Sequence, residues 1–353
     1  MTEPYRNILK SATIEASAPC RIDMGGTLDI KTFHLPLRRM SPCTINAAIR
    51  LRTRVRISSW HEGRITITSK GFDSVTFASD ALSFSGPLGL MLAIADYFGV
   101  GGVHIEIESA SPPRSALGGS SAAAVALVAA FSHLFEKTGT KPLTRRQIVM
   151  TAHAIEESVA GVPCGLQDQL AAAYGGVNVW YWKDALSPGG FDRKALVPKA
   201  GYRDFARHIL IAYSGAPHES KDINGRWVQQ FIAGNTRELW KTITVHSQRF
   251  ADAIRSRQYR LAGDIMNLET ATRRQMTPDV LNAAGERLVQ AAQSHNCGAR
   301  FTGAGGGGCI WAIGDTNDID RLRDDWREKI AEIPEGCLLD TDIDSDGLMV
   351  TSL

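Results

Sequence analysis

Five of the six residues from 303 to 308 are glycine, and an apolar segment follows them directly. Ordering glycine costs more conformational entropy than ordering any other residue, so a folded chain concentrates glycines where its backbone must approach something closely. A flexible linker would carry more serine and other polar residues. The run therefore predicts a packed loop that lies against another backbone and helps to shape an anion site, with a strand after it at residues 309–313.

A second loop of small residues extends from Pro112 to Ala123, between a predicted strand at 103–108 and a predicted alanine-rich helix at about 120–137. The first-turn amides of a helix carry partial positive charge, which suits a phosphate group, and a serine hydroxyl there can bind Mg²⁺. A lysine-containing Walker loop is absent from this segment. The simpler alternative is a glycine turn in which Ser120 or Ser121 caps the helix.

Two carboxylates follow this loop in the chain. Glu157 lies near the end of a helix that opens with a capping box at Thr144, and Asp168 lies at the start of the next predicted helix, 166–174. The turn between them, 161–165, can bring both carboxylates to one site. Carboxylates beside a phosphate loop suit Mg²⁺ and a reacting hydroxyl. The simpler alternatives are an exposed helical glutamate and an N-terminal aspartate cap.

Charge and cysteine usage exclude several other classes of protein. The 353 residues carry 39 basic and 37 acidic side chains, a net charge of +2, so a strongly basic nucleic-acid binder is excluded as the first interpretation. No apolar run reaches the roughly 18 residues that a membrane helix needs, and no apolar signal core opens the chain. The six cysteines form no CxxC pair. We therefore expect a cytoplasmic protein with no nucleic-acid or membrane partner; a homodimer stays open.

Strands and helices interleave in both halves of the sequence, which is typical of a mixed α and β fold. A segment rich in proline and glycine within 183–203 predicts a boundary between domains at 1–190 and 200–353. Other strands are predicted at 12–18, 46–58, 64–70, 177–182, 208–213 and 348–351. Other helices are predicted at 88–98, 222–256, 258–272 and 278–296.

Three segments together resemble the GHMP kinases, the family of galactokinase, homoserine kinase and mevalonate kinase. They are residues 18–29 (Ala-Pro-Cys-Arg-Ile-Asp-Met-Gly-Gly-Thr-Leu-Asp), the loop at 112–123 and the run at 302–309, in the family's order. Within the family, Arg21, Asp29 and the run from Gln167 to Gly176 are most similar to sugar kinases of the D-glycero-D-manno-heptose 7-phosphate kinase and fucokinase type. The resemblance implies an α+β fold with a ribosomal-protein-S5-domain-2-like N-terminal domain and a ferredoxin-like C-terminal domain.

The resemblance also implies a set of site residues. Asp168 would meet the acceptor hydroxyl, Arg21 would lie beside the transferring phosphoryl group, and Ser120 and Glu157 would hold Mg²⁺. The ATP phosphates would lie over the loop residues Pro113, Ala116, Leu117, Gly118, Gly119, Ser120, Ser121 and Ala122, and the adenine near 60–110. The substrate would be bound by Asp23, Gly26, Thr27, Asp29, His218, Gly303, Gly305 and Gly306.

Three departures from the family pattern affect these assignments. Ala116 stands where the family usually has glycine, Gly119 stands where serine is common, and Cys20 stands where glycine is common. The second change leaves the metal ligand open between Ser120 and Ser121. For His218, a solvated loop histidine is the simpler alternative.

The expected function is an ATP-dependent kinase that phosphorylates a hydroxyl of a sugar or sugar phosphate, heptose 7-phosphate-like or fucose-like. The aspartates on both sides of Gly25-Gly26 favour a polyhydroxyl acceptor. The alternatives are an isoprenoid-acid or amino-alcohol kinase of the same superfamily, and a catalytically silent sensor that binds sugar and ATP.

Overall fold

The fold is described from a computed structural model, which covers residues 4–183, 190–217 and 221–353. His218, predicted to bind substrate, lies outside the described residues. The first half of the chain forms a large sheet with six helices, of which α4 and α5 are the longest. Its elements are α1 (Pro4–Ser11), β1 (Ile14–Met24), α2 (Lys31–His34), β2 (Cys43–Ser59), β3 (Arg64–Ser69), β4 (Phe72–Ala78), α3 (Gly89–Tyr97), β5 (Val103–Ser109), α4 (Gly119–Glu136), α5 (Arg145–Ala160), α6 (Gln167–Tyr174), β6 (Val177–Trp182) and β7 (Phe191–Ala195).

The second half forms a smaller sheet covered by helices. Its elements are α7 (Tyr202–Ala206), β8 (Ile209–Tyr213), α8 (Lys221–Ile232), α9 (Arg237–Arg255), α10 (Tyr259–Met276), α11 (Ala283–Ser294), β9 (Gly298–Phe301), β10 (Cys309–Ile313), α12 (Thr316–Ala331), β11 (Cys337–Leu338) and β12 (Met349–Ser352). The sheet is antiparallel with the order β11-β8-β10-β9, and helices precede β9 and β11. This is the predicted ferredoxin-like arrangement.

The large sheet is organised around β2. Its main path is β12-β1-β2-β5-β3-β4, with β6 and β7 added beside the first part of β2. Thr53, Val55 and Ile57 alternate into the core, as the period-two pattern predicted, whereas Arg54 is exposed. The partner strand β1 shifts register between Pro19 and Cys20, because proline cannot donate a ladder hydrogen bond. The shift comes directly before Arg21.

Helix α4 is the centre of the larger domain. It contacts β1, β2, α3, α5 and α6, and its alanines let these elements approach closely. By length and composition alone it could cross a membrane, but 72% of it is buried inside the fold. That burial is the environment of a core helix. The capping box predicted at the start of α5 is confirmed, since Thr144 and Gln147 cap each other's backbone amides.

The structure differs from the predicted domain division at strand β12. This strand lies in the predicted C-terminal domain but pairs with β1 and so belongs to the large sheet, which β7, between the two predicted domains, joins by pairing with β6. The predicted helix 222–256 is also divided, because Gly234 takes a left-handed φ of 87° between α8 and α9. Elements α1, β4, β9 and α12 lie outside the predicted elements.

Apolar contacts join the two halves. Each of the two core clusters contains side chains from both domains; Val55 and Trp240 share one, and Ile22 and Trp311 share the other. The cleft between the domains is therefore held by packed elements on both sides.

Candidate functional site

A cavity of about 710 Å³ lies between the two domains. Its lining comes from the loop at 111–121, from α3, from the start of α6, and from Gly303 of the glycine run. Segments far apart in sequence therefore meet at one cleft, as predicted.

The phosphate loop leads into α4 through Gly118, which is the N-cap residue with a left-handed φ of 76° and no side-chain cap. The alternative that Ser120 or Ser121 caps the helix is therefore wrong. Ala122 is the first residue of the helix whose amide donates to the carbonyl four residues earlier, that of Gly118. The amides of residues 119–121 have no such partner within the helix and can bind a ligand. An added Cβ on Gly118 would lie 3.1 Å from Asp168.

The glycine run packs against this loop, as its composition predicted. A Cβ on Gly308 would lie 2.7 Å from the Ser115 carbonyl oxygen, and the Cys309 amide donates to that same oxygen at 2.9 Å. Ala116, which replaces the family's usual glycine, has a φ of 59°. The backbone at Ala116 is thus held in a left-handed conformation by the glycine run packed against it.

Arg21 and Asp168 form a bidentate ion pair at the cavity wall. Arg21 Nε donates to Asp168 Oδ1 at 2.7 Å, and Nη2 donates to Oδ2 at 2.9 Å. Arg21 Nη1 also donates to the Ala116 carbonyl at 2.6 Å, which ties the arginine to the phosphate loop. Burial lowers the pKa of Arg21, but the charges of Asp168 and Asp23 outweigh it and raise the pKa above its ordinary value.

The glutamate beside the loop is Glu156, not Glu157. Ser121 Oγ lies 3.0 Å and 2.9 Å from the two carboxylate oxygens of Glu156, and Gln169 Nε2 donates to one of them at 2.5 Å. Glu156 lines the cavity, and Glu157 is not among the lining residues. Neighbouring residues of a helix point about 100° apart, so only one of two adjacent glutamates can face α4.

Asp29 and Thr27 line one end of the cavity. Asp29 Oδ2 accepts from the backbone amide of Gln167 at 2.9 Å, and the buried Oδ1 of the same carboxylate has no hydrogen-bond partner among the described residues. Gly165 must be glycine, because a Cβ there would lie 1.8 Å from this carboxylate. Burial raises the pKa of Asp29 to about 6, with the Gln167 amide opposing and the Asp168 charge adding to the shift.

Several predicted substrate residues lie behind the cavity instead. Asp23 is buried, and its oxygens accept from the Gly303 amide at 2.7 Å and from Arg300 at 3.0 Å. Gly26 packs against Asp23, where a Cβ would lie 2.2 Å away. The other predicted residues that do not line the cavity are Gly305 and Gly306, which contact Val280, and Ala122, which is buried in α4.

Two family models match the chain. The N-terminal domain of the GHMP kinases matches residues 87–176, and the C-terminal domain matches residues 250–332. The chain belongs to the GHMP kinase family. Family membership implies an ATP-dependent phosphotransferase. The first match covers the phosphate loop, Glu156 and Asp168, and the second covers Glu269, Arg273 and the glycine run.

Relatives of this GHMP kinase include enzymes for different acceptors. A mevalonate kinase of Thermococcus sibiricus is 27% identical over 333 residues, covering 84% of this chain and 88% of the relative. Glucuronokinase 1 of Arabidopsis thaliana is 24% identical over 251 residues, covering 66% and 65%. A D-glycero-D-manno-heptose 1-phosphate kinase structure from Bacteroides thetaiotaomicron has a TM-score of 0.71 at 17% identity, covering 96% and 98%, and supports the fold alone.

The oxygen donors of this GHMP kinase fit a hard divalent cation. Glu156 is hydrogen-bonded to the neutral side chains of Ser121 and Gln169, and no described cation pairs with it. Burial raises the pKa of Glu156 to about 7, against the hydrogen bonds from Ser121 and Gln169. The exposed Ser120 lines the cavity one residue away. A buried, uncompensated carboxylate beside two hydroxyls suits Mg²⁺.

Sequence reasoning missed several residues of the site. Glu156 could have been found from its place beside Glu157, but the sequence does not say which glutamate faces inward. Gln169 and Asn224 line the cavity without any local signal. Three charged residues behind the cavity, Glu269, Arg273 and Arg300, also carry no local signal of their role.

Proposed function

We propose that this GHMP kinase transfers the γ-phosphoryl group of ATP to a hydroxyl of a sugar or sugar phosphate, heptose 7-phosphate-like or fucose-like. The observation that carries the proposal is the unpartnered, buried Oδ1 of Asp29 at one end of the cavity. Gln167 Oε1 and Asn224 Oδ1, also cavity-lining, likewise have no hydrogen-bond partner within the described part of the chain. Three free acceptors are best satisfied by an acceptor molecule rich in hydroxyl donors.

The donor nucleotide would lie along the loop at 113–121. The helix-terminal amides of α4 would bind phosphate oxygens. The other end of the cavity is lined by Lys70, Phe72, Leu88 and Met91, a mixture of cationic and apolar side chains that suits a nucleoside. This region falls within the stretch predicted for the adenine.

Mg²⁺ would be held by Glu156 with Ser120 or Ser121, and bound there it would offset negative charge on the phosphates. Asp168 would orient the acceptor hydroxyl and take its proton. Arg21 would hold Asp168 in place and stabilise the transferring group. Phosphoryl transfer has a loose transition state, so positioning and electrostatic stabilisation carry most of the rate.

A second candidate is mevalonate or another isoprenoid acid. The similarity to mevalonate kinases over 84% of the chain favours it. The lining counts against it, because the cations among the described lining residues are Lys70, Arg114 and Arg21, and Arg21 is already bonded to Asp168. A carboxylate acceptor would need a free cation at the Asp29 end.

The deciding experiment is an ATP-consumption screen with product NMR. The panel contains heptose phosphates, fucose, galactose, uronic acids, inositols and mevalonate. Turnover of a sugar, abolished by Asp29→Ala, would support the proposal. Turnover of mevalonate alone would select the second candidate, and nucleotide binding without turnover of any acceptor would select the sensor. A cytoplasmic location stays a prediction.

A further inference from the structure

Two arginines of the smaller domain are buried behind the cavity and share one glutamate. Arg273 and Glu269 lie one turn apart on α10, and Arg273 Nε donates to Glu269 Oε1 at 2.8 Å. Arg300, on β9, places its Nε 3.3 Å from Glu269 Oε2. All three side chains are fully buried, and none of them lines the cavity. They therefore act on the site only through other residues.

Arg300 holds the end of strand β1, and Arg273 holds the loop that follows it and carries Asp29. Arg300 Nη1 donates to the Asp23 carbonyl at 2.6 Å and to Asp23 Oδ2 at 3.0 Å. Arg273 Nη2 donates to the Gly26 carbonyl at 2.7 Å, and its Nη1 donates to Thr27 Oγ1 at 3.0 Å. The contacts of Arg300 extend to the active site through Asp23, because Asp23 Oδ1 lies 3.6 Å from Arg21 Nη1.

The loop needs such support because it is strained. Thr27 is a β-branched residue with a φ of 71°, in the left-handed region that favours glycine. Strained residues of this kind persist only when their surroundings hold them. The Arg273 guanidinium itself packs over the rings of Trp227 and Trp240, 4.8 Å and 4.7 Å from their centroids.

A buried ionic network is a costly way to gain stability, since apolar residues of similar volume often serve as well. We propose that Arg273 is a positioning residue: by holding Gly26 and Thr27 it fixes the Asp29 carboxylate and so sets the affinity for the acceptor. Arg300 acts separately, through Asp23, on the Arg21–Asp168 end. The inference rests on the proposed function, because it takes the Asp29 end of the cavity as the acceptor end.

The test uses the full-length Arg273→Lys variant, which keeps the positive charge but cannot donate to the Gly26 carbonyl and Thr27 Oγ1 at the same time in the geometry of a guanidinium. The matched control is Arg274→Lys, the same change one residue along, where the arginine pairs with Glu286 at the partly exposed surface. Hydrogen exchange is measured at the amides of Leu28 and Ile30, which donate to the Gly25 and Thr27 carbonyls. Kinetics use a heptose phosphate, fucose, galactose, a uronic acid, an inositol or mevalonate, whichever the wild type phosphorylates fastest.

We expect Arg273→Lys to speed exchange of these two amides about tenfold and to raise the acceptor KM about tenfold. The KM for ATP and kcat should stay within about twofold of wild type, as should everything measured for Arg274→Lys. Loop exchange like that of the control would overturn the inference. So would an unchanged acceptor KM, or exchange that accelerates equally in α12 while both KM values rise together.

Two complications have definite answers. If Arg273→Lys does not fold, Trp227→Phe replaces it: the smaller ring packs less closely on the Arg273 guanidinium and leaves the ion pair with Glu269 in place. Loop exchange and the acceptor KM should then rise in the same way but by less. Unchanged exchange of the loop amides would overturn the inference. If the wild type phosphorylates no panel member, the proposed function fails. Loop exchange then decides alone: acceleration confined to residues 26–30 supports the positioning role, and its absence overturns it.

Discussion

The Arg21 guanidinium brackets the Asp168 carboxylate with two hydrogen bonds of 2.7 Å and 2.9 Å, across 147 residues of sequence. Arg21 is nearly buried, with 5% of its side chain exposed, whereas Asp168 keeps 22% exposed toward the cavity. The arrangement lets β1 hold a carboxylate of α6 at the cavity wall while one side of that carboxylate stays open to a ligand. A third bond, from Arg21 to the Ala116 carbonyl, ties the same pair to the phosphate loop.

Replacing Asp168 by Asn should lower kcat by about 10² to 10⁴ while nucleotide binding changes little. Asparagine keeps the shape of the side chain but cannot take the proton of the acceptor hydroxyl. The measurement is steady-state turnover with the acceptor found in the screen, alongside titration with a non-hydrolysable ATP analogue. Asp252→Asn, on the surface of α9, is the control. Near-normal turnover of Asp168→Asn would remove this residue from the central role.

The two adjacent glutamates of α5 should behave differently. Glu156→Gln is expected to raise the Mg²⁺ concentration for half-maximal activity by about tenfold or more, because it removes the buried charge beside Ser121. Glu157→Gln is the matched control and should leave the Mg²⁺ dependence unchanged. A Mg²⁺ titration of both variants checks this, and the reverse result would restore the original assignment to Glu157.

Asp29 should make stability fall with rising pH. Burial raises its folded pKa to about 6 from 3.8, so between these values the folded state binds more protons than the unfolded state. The free energy of unfolding then decreases as pH rises through this window. Asp29→Asn removes the effect and should be more stable than wild type at pH 7, by roughly 1 to 3 kcal/mol.

Urea unfolding at pH 4.5 and pH 7 measures this difference. The same variant should raise the acceptor KM by about 100-fold, because it removes an acceptor for substrate hydroxyls. Equal stability of wild type and Asp29→Asn at pH 7 would show that the carboxyl is not held in a buried, protonation-prone environment.

Gly308→Ala should disturb the phosphate loop. The residue has a φ of 80°, and a new Cβ would lie 2.7 Å from the Ser115 carbonyl oxygen. We expect the KM for ATP to rise about tenfold and the free energy of unfolding to fall by about 1 to 3 kcal/mol. Gly225→Ala on α8 is the control, because its Cβ would meet no described residue within 4 Å and alanine favours a helix. Equal effects of the two changes would mean that the loop contact is unimportant.

Local signals were enough for the fold class and for most elements of this protein. Alternation along β2, the capping box at Thr144 and the clustering of glycines at 303–308 each depend on the backbone and its nearest neighbours, so they can be read from a short stretch of sequence. The order of the three motif segments along the chain was sufficient to identify the family. It also brought Arg21, Asp168 and the phosphate loop into one predicted site.

Only the tertiary structure decided which side chains face the cavity and which support it. Glu156 rather than Glu157 faces inward because α4 and α6 pack on one side of α5. Both carboxylate oxygens of Asp23 accept hydrogen bonds from Arg300 and the Gly303 amide, residues about 280 positions away in the sequence. A buried charge looks like an exposed one in the sequence, since its partners come from distant elements that meet only when both sheets are packed. The return of β12 to the large sheet was decided in the same way.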